Sequence, residues 1–221
     1  MSVQKVFYLG VIIMALQMPT IALPVGHWDF NNIKSGVVKD LSGNNHDGTI
    51  YGNPEVVDGL SGKAFRFKTN DDYVDFKKPL IPKRDFSISV KINFDDLKAQ
   101  FFLGQYKYAA PDRFDLVIRN GKVRWHLGDF IDSTTTIKAQ TWYHIIYVRG
   151  NGVLQVFLDG EKITEKQNKQ EVIQDEPLIL GKIFVPNKNG FRFTGMIDDL
   201  KIWDHALSES EIKAELAALK N

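Results

Sequence analysis

Apolar and polar residues alternate along most of this chain in short runs, each closed by turn residues. Phe86, Ile88, Val90 and Ile92 fall at every second position between polar neighbours, and Asp72-Tyr73-Val74-Asp75-Phe76 repeats the same two-residue period. Successive side chains of a strand point to opposite faces, so this period predicts half-buried β-strands. Further strands are predicted at 26–30, 49–51, 64–67, 101–104, 142–148, 154–158, 178–181 and 195–203. Phe114 to Arg119 and Lys122 to Leu127 flank Asn120-Gly121, a dipeptide that supplies the positive φ angles of a two-residue hairpin turn. That turn sets a register with Ile118 opposite Val123, Leu116 opposite Trp125 and Asp115 opposite His126. Many short strands separated by Gly, Asn and Asp clusters predict an all-β sandwich. Near the end the pattern changes. Ser208-Glu209-Ser210-Glu211 is a Ser-x-x-Glu capping box and predicts a short helix after the last strand. The polar run from Lys162 to Glu176 reads as a long solvated excursion between strands.

The first 22 residues do not fit this pattern. Lys5 precedes an apolar run, Val6 to Leu16, and Thr20-Ile21-Ala22 ends in a small residue. This predicts a secretory signal peptide cleaved after Ala22, leaving 23–221 as a single domain. The run is too short for a comfortable transmembrane helix and no second one follows, so no integral membrane span is expected.

Composition narrows the function classes. The 221 residues are 43% hydrophobic and 12% aromatic, enough for a sizeable core. The 28 basic residues, less Lys5 after cleavage, balance the 27 acidic ones. A neutral domain lacks the electrostatic footprint of a nucleic-acid binder. The chain has no cysteine, which excludes disulfides, thiolate metal sites and a lipoprotein anchor.

Several segments resemble the laminin-G-like, concanavalin A-like jelly-roll family. The strongest is Gly195-Met196-Ile197-Asp198-Asp199-Leu200 with Trp203 and Ala206-Leu207-Ser208 behind it. Others are Trp28-Asp29-Phe30, Asp40-Leu41-Ser42-Gly43, Gly59-Leu60-Ser61-Gly62-Lys63-Ala64, Asp72-Tyr73-Val74, Trp142-Tyr143-His144, Asp159-Gly160 and Leu178-Ile179-Leu180-Gly181. The resemblance spans about residues 26 to 212. It implies a two-sheet antiparallel jelly-roll sandwich with a short C-terminal helix, in which the Trp28 and Ile197 strands are neighbours. It also implies that Trp28, Trp142 and Trp203 are framework aromatics of the core. Members often hold a structural calcium near the paired terminal strands; Asp29 and Asp198 stand at the matching positions, with Asn31 and carbonyls of the Asn44-Asn45-His46 turn expected to complete the shell. Calcium is the cofactor expected.

The family includes glycoside hydrolases, whose retaining members need two carboxylates roughly 5 to 5.5 Å apart. Those branches carry Glu-x-Asp-x-x-Glu on one strand, a spacing this chain lacks. Asp198 and Asp199 are adjacent and are expected on opposite faces of their strand. None of the five histidines is spaced as a zinc pair, and His144 reads as a core residue. A divergent hydrolase is therefore the weakest reading.

Binding is the better one. The hairpin register puts Leu116, Ile118, Val123 and Trp125 on a core face. Asp115, Val117, Arg119, Lys122, Arg124 and His126 share the other face. With Tyr106, Tyr108, Arg113 and Phe130 in the adjoining loops, that second face offers aromatic surface and hydrogen-bonding groups for a sugar. The candidate ligand-binding residues are Tyr106, Tyr108, Arg113, Asp115, Arg124, His126 and Phe130. The partner expected is a glycan. The alternative is a cell-surface or extracellular protein, in an adhesion role of the laminin G type.

Overall fold

A computed structural model describes residues 22–105, 113–173, 175–183 and 192–218. The proposed signal segment falls outside them, apart from Ala22. In chain order the elements are β1 (Gly26–Trp28), β2 (Ile33–Lys34), β3 (Val37–Val38), β4 (Gly48–Tyr51), β5 (Glu55–Asp58), β6 (Lys63–Phe67), β7 (Tyr73–Asp75), β8 (Phe86–Phe94) and β9 (Gln100–Gln105). They continue with β10 (Phe114–Arg119), β11 (Lys122–Leu127), β12 (Asp129–Thr136), β13 (Trp142–Gly150), β14 (Val153–Leu158), β15 (Glu161–Gln167), β16 (Ile179–Leu180), β17 (Gly195–Trp203) and α1 (Glu209–Ala217).

The strands form two antiparallel sheets. One runs β15-β14-β13-β8-β17-β6-β5, with β1 also on β17. The other runs β12-β11-β10-β9-β16-β7-β4-β3-β2. Each inner face follows the two-residue period. Phe86, Ile88, Val90, Ile92, Ile145 and Tyr147 meet Phe114, Leu116, Ile118, Val123 and Trp125 in one core. Phe86 stacks on Trp125 with ring centroids 5.5 Å apart.

The expected pairing of the terminal strands is present, with Trp28 opposite Leu200 and Gly26 opposite Ile202. Along one edge of β17, β6 pairs over residues 195–197 and β1 over residues 200–202. The change of neighbour coincides with a β-bulge between Asp198 and Lys201. Helix α1 begins at the predicted capping box: Ser208 Oγ accepts from Glu211 N–H, and the Glu211 carboxylate accepts from Ser208 N–H at 2.8 Å. It lies on the outer face of the first sheet, where Leu207 and Ile212 pack with Ile146, Val148 and Trp203.

Three sequence expectations need correction. Part of the supposed excursion from Lys162 to Glu176 is β15, an edge strand whose Ile163 and Thr164 are buried. Its charged residues face solvent, which hid the strand. Trp142 is only half-buried at the start of β13, opposite Asn93, and belongs to neither large apolar cluster. Trp28 and Trp203 are core residues as expected.

The third concerns Asp198 and Asp199, which share the outer face of β17. Asp199 takes φ +49° and is the extra residue of the bulge. Its Oδ2 lies 2.9 Å from Nζ of Lys91, the residue directly opposite Asp198. A bulge residue breaks the alternation on which the opposite-face expectation rested.

Candidate ligand-binding face

The β10–β11 hairpin has the predicted register, including Asp115 opposite His126. Asn120 and Gly121 take φ of +53° and +74°, as the tight turn requires. Leu116, Ile118, Val123 and Trp125 point into the core. On the opposite face, Val117 packs with Phe101 and Ile183. Arg119 is exposed, and Lys122 is half-buried.

Five of the seven predicted ligand-binding residues converge at one end of this face. Asp115 is fully buried and His126 nearly so. Arg113 Nε–H donates to His126 Nδ1 at 2.7 Å and lies 3.1 Å from Asp115 Oδ2. His126 Nδ1 is also 3.0 Å from that Oδ2. The imidazole is thus fixed from beneath by a buried carboxylate and from the side by a guanidinium.

Phe130 stacks on this imidazole, with centroids 4.1 Å apart and planes 13° from parallel. Antiparallel pairing of β12 places it there, opposite His126. The Arg124 guanidinium lies 4.8 Å from the Phe130 centroid and that of Arg113 lies 5.9 Å away. Arg124 is itself held by both oxygens of Asp132, at 2.5 and 2.8 Å. The pair raises the Arg124 pKa and lowers that of Asp132. Asp132 was not singled out from the sequence, although the β11–β12 pairing makes it Arg124's direct partner. Phe130 remains 54% exposed. An exposed phenyl ring stacked on a fixed imidazole between two cations is a rigid aromatic platform with polar groups at its rim. Tyr106 and Tyr108 lie outside the described residues.

The expected metal ligands surround the turn from Gly59 to Gly62, which is closed by Gly59 N–H donating to Gly62 O at 2.9 Å. Asp29 accepts from Asn31 N–H and Nδ2–H, and Asn31 Oδ1 accepts from Lys63 N–H. Asp198 Oδ2 accepts from Ser61 N–H at 2.9 Å. Asp198 Oδ1 is buried with no hydrogen-bond partner. Burial pushes the Asp198 pKa up to about 6 despite its backbone donors. Among the described residues, no three His, Cys, Asp or Glu side chains converge as a metal cluster. Any cation here would therefore draw on amide and carbonyl oxygens as well.

Asp199 behaves oppositely. Its carboxylate contacts His27 at 2.8 Å, Lys91 at 2.9 Å and Lys201 at 3.3 Å. These contacts outweigh its desolvation and hold its pKa well below the carboxylate range. With Asp198 fully buried and Asp199 engaged by three basic side chains, the pair offers no accessible acid and base. Ser89 Oγ lies 2.6 Å from His144 Nε2, but both residues are buried, and Glu215 of α1 also accepts from the hydroxyl. This is a buried polar network under the helix, and it places His144 in the interior as expected.

Comparison with known families follows the fold. The profile of the concanavalin A-like lectin/glucanases superfamily, in its laminin G form, matches residues 68–213. The chain belongs to that superfamily. Among curated proteins it is similar to Paraclostridial mosquitocidal protein 1 of Paraclostridium bifermentans, 25% identical over 215 residues. That match covers 82% of this chain and 16% of the much longer relative.

The fold is shared with domain 4 of AbnA, a GH43 extracellular arabinanase from Geobacillus stearothermophilus solved in complex with arabinotriose. The TM-score is 0.71 at 23% identity, covering 90% of this chain and all of that one. It is shared too with the binding domain of the mosquitocidal protein, at TM-score 0.72 and 20% identity over 90% of this chain and 52% of that one. The receptor-binding domain of botulinum neurotoxin C/D mosaic serotype gives 0.69 at 16% identity, over 89% and 51%. No helix among the described residues is long and apolar enough to cross a membrane.

Proposed function

We propose that this protein is an exported, non-catalytic glycan-binding domain whose platform is Phe130 stacked on His126. The observation that carries the reading is the rigidity of an exposed aromatic ring. A solvated sheet face has no need of a buried Asp115 and the Arg113 guanidinium to fix the imidazole beneath a half-exposed phenyl group. A sugar ring stacks its C–H face on such a surface, and Arg113 and Arg124 at the rim donate to its hydroxyls. Arabinotriose on the AbnA domain supports a carbohydrate as the ligand class. Export is supported by the apolar leader and by the extracellular origin of that arabinanase. The inaccessible Asp198 and Asp199 support a non-catalytic role.

The test is a glycan array probed with the domain and with Phe130→Ala. The wild type is expected to retain a defined subset of glycans, and the variant to lose at least tenfold in affinity while melting at the same temperature. If the wild type retains no glycan, the reading falls. The protein-receptor alternative, favoured by the receptor-binding domains that share the fold, then takes its place.

A structural calcium at Asp198 is a further part of the proposal. A buried carboxylate with one unpartnered oxygen and a raised pKa calls for a proton or a cation. Asp29 and Asn31, on the other side of the Gly59–Gly62 turn, would complete an oxygen shell with backbone carbonyls. Calcium there would tie the first strand to the last, and its binding energy would appear as folding stability. At 100 times its dissociation constant the gain is about 2.7 kcal/mol. Chelator should lower the melting temperature and excess calcium restore it. Identical melting in both would refute the metal.

A further inference from the structure

We propose that the glycan is acidic, and that a carboxylate or sulfate group on it is received between Arg119 and Lys122 at the tip of the β10–β11 hairpin. The inference rests on the glycan-binding reading above and names the class of glycan. Arg119 and Lys122 are direct cross-strand partners on either side of the Asn120-Gly121 turn. The next pair, Ile118 with Val123, points into the core, so Arg119 and Lys122 share the outer face with Arg124 and His126. Phe130 lies on that face too, opposite His126. Lys122 and His126 stand four positions apart on β11, which is about 13 Å along the strand. Platform and cation pair are therefore within reach of one oligosaccharide.

Like charges directly opposite each other destabilise a strand ladder. In the ladders of the described strands, the other directly opposed Asp, Glu, Lys and Arg residues are of opposite sign: Glu55 with Arg66, Asp58 with Lys63, Lys91 with Asp198 and Arg124 with Asp132. Arg119 with Lys122 is the exception there; Lys182 with Arg192 is an isolated bridge outside the strands. The acid beside the pair, Asp132, does not restore the balance. Both its oxygens are already held by Arg124. That contact first, and then the charges of Lys122 and Arg119, keep its carboxyl below the ordinary pKa. Three cations thus act on one carboxylate, and the face keeps an excess of positive charge at the hairpin tip.

Both cations have donors to give. Lys122 Nζ donates to Ser133 O at 3.1 Å, which uses one of its three N–H groups. Arg119 is exposed and makes no hydrogen bond or ion pair among the described residues. Cβ atoms of a directly opposed pair are about 4.5–5.5 Å apart, so both side chains can close on one anion. Charge-assisted hydrogen bonds to that anion would replace the repulsion with attraction. The tip that carries them is fixed. Gly121 O accepts from Ile137 N–H at 2.8 Å, and a side chain at Gly121 would collide with Thr136. Without Lys5 the chain has as many basic as acidic residues, so this excess is local and not part of a general polyanion-binding surface.

The test is an array of matched oligosaccharides, uronates beside their carboxyl-reduced forms and sulfated glycans beside their desulfated forms. It is probed with the wild type, Arg119→Gln/Lys122→Gln and Phe130→Ala, each with and without inorganic polyphosphate as competitor. The wild type should bind the acidic member of at least one set at least tenfold more tightly than its neutral partner, and the set that responds identifies the group as carboxylate or sulfate. The double variant should lose that preference while binding the neutral member as the wild type does. Phe130→Ala should weaken both members. The double variant should melt no lower than the wild type, because it removes a repulsion; a lower melting temperature would show that the pair serves the fold, and overturns the assignment. A wild type without the preference, or a preference that survives in the double variant, overturns the acid-receiving pair and leaves the platform reading intact. Acidic binding that polyphosphate abolishes and Phe130→Ala leaves untouched is attraction of any polyanion, and overturns both. A wild type that binds no glycan, acidic or neutral, also overturns both.

Discussion

Asp198 and Asp199 are consecutive residues of one strand, yet their carboxylates lie on the same face of the sheet. The bulge at Asp199 is responsible, and it separates two environments within a few ångströms. Asp198 is walled off from solvent, with backbone N–H donors on one oxygen only. Asp199 neutralises Lys91, which is itself 4% exposed. Removing one partner of a buried ion pair leaves the other uncompensated. Asp199→Asn keeps a residue that tolerates positive φ but drops the charge, and should cost about 3–5 kcal/mol in urea unfolding at pH 7 with chelator present. Asp198→Asn in the same conditions should cost far less, because it removes a charge that burial already disfavours. Equal losses for the two would show that the acids are not differentiated.

Trp125 and Trp142 are distinguished by depth. Trp125 is 1% exposed and contacts Phe86, Phe114 and Tyr147. Trp125→Ala should cost about 3–5 kcal/mol, the usual loss for a buried large aromatic. Trp142→Ala, at a half-buried strand end, should cost about 1 kcal/mol. Chemical denaturation of both variants ranks them, and the reverse order would contradict the placement of β13.

How much was legible in the sequence depended on whether the information was local. The Asn120-Gly121 turn carries its own register, so the contact of Asp115 with His126 followed from the hairpin alone. The capping box is equally local. Phe130 was named from its loop, but its stacking on His126 depends on β12 folding back onto β11. The bulge at Asp199 was illegible because it forms where β6 gives way to β1 along β17, a junction made by three distant segments. Trp142 misled because an aromatic at the first position of a buried strand looks like its core residues.

The C-terminal helix offers a local check. Ser208 Oγ accepts from Glu211 N–H, and Glu211 returns the bond to the Ser208 N–H. The Ser208 N–H, and after it the Ser208 hydroxyl, also hold the Glu211 carboxyl below its ordinary pKa. Ser208→Ala should destabilise the domain by about 1 kcal/mol and Ser208→Gly by only a few tenths. Because α1 covers the Trp203 cluster, hydrogen exchange at 209–217 should quicken in the alanine variant. Unchanged exchange and stability together would show that packing through Ile212 alone holds the helix.

Asp198 and His144 are two buried groups whose pKa shifts act on stability in opposite senses. Burial pushes the His144 pKa down to about 4, with the Glu215 carboxylate opposing the shift. Between about pH 4 and 6.5 the unfolded chain binds a proton there that the folded chain excludes, so this residue makes stability rise with pH. Asp198 acts in the opposite sense. Its folded pKa of about 6 lies above its ordinary value near 3.8. The folded chain keeps a proton that the unfolded chain releases, so its contribution falls as pH rises through that interval. Carboxylates held low, among them Asp40, Asp72 and Asp199, lose their contribution mainly below this range. From pH 4 to 6 the two buried groups therefore oppose each other, and the wild-type stability in chelator should be nearly flat. His144→Gln removes one limb, and stability should then fall as pH rises from 4 to 6. Asp198→Asn removes the other, and stability should rise over the same interval, by at most about 1.4 kcal/mol per pH unit. Urea unfolding in half-unit steps of pH measures both slopes. Parallel slopes in the two variants would show that these groups do not carry the pH response.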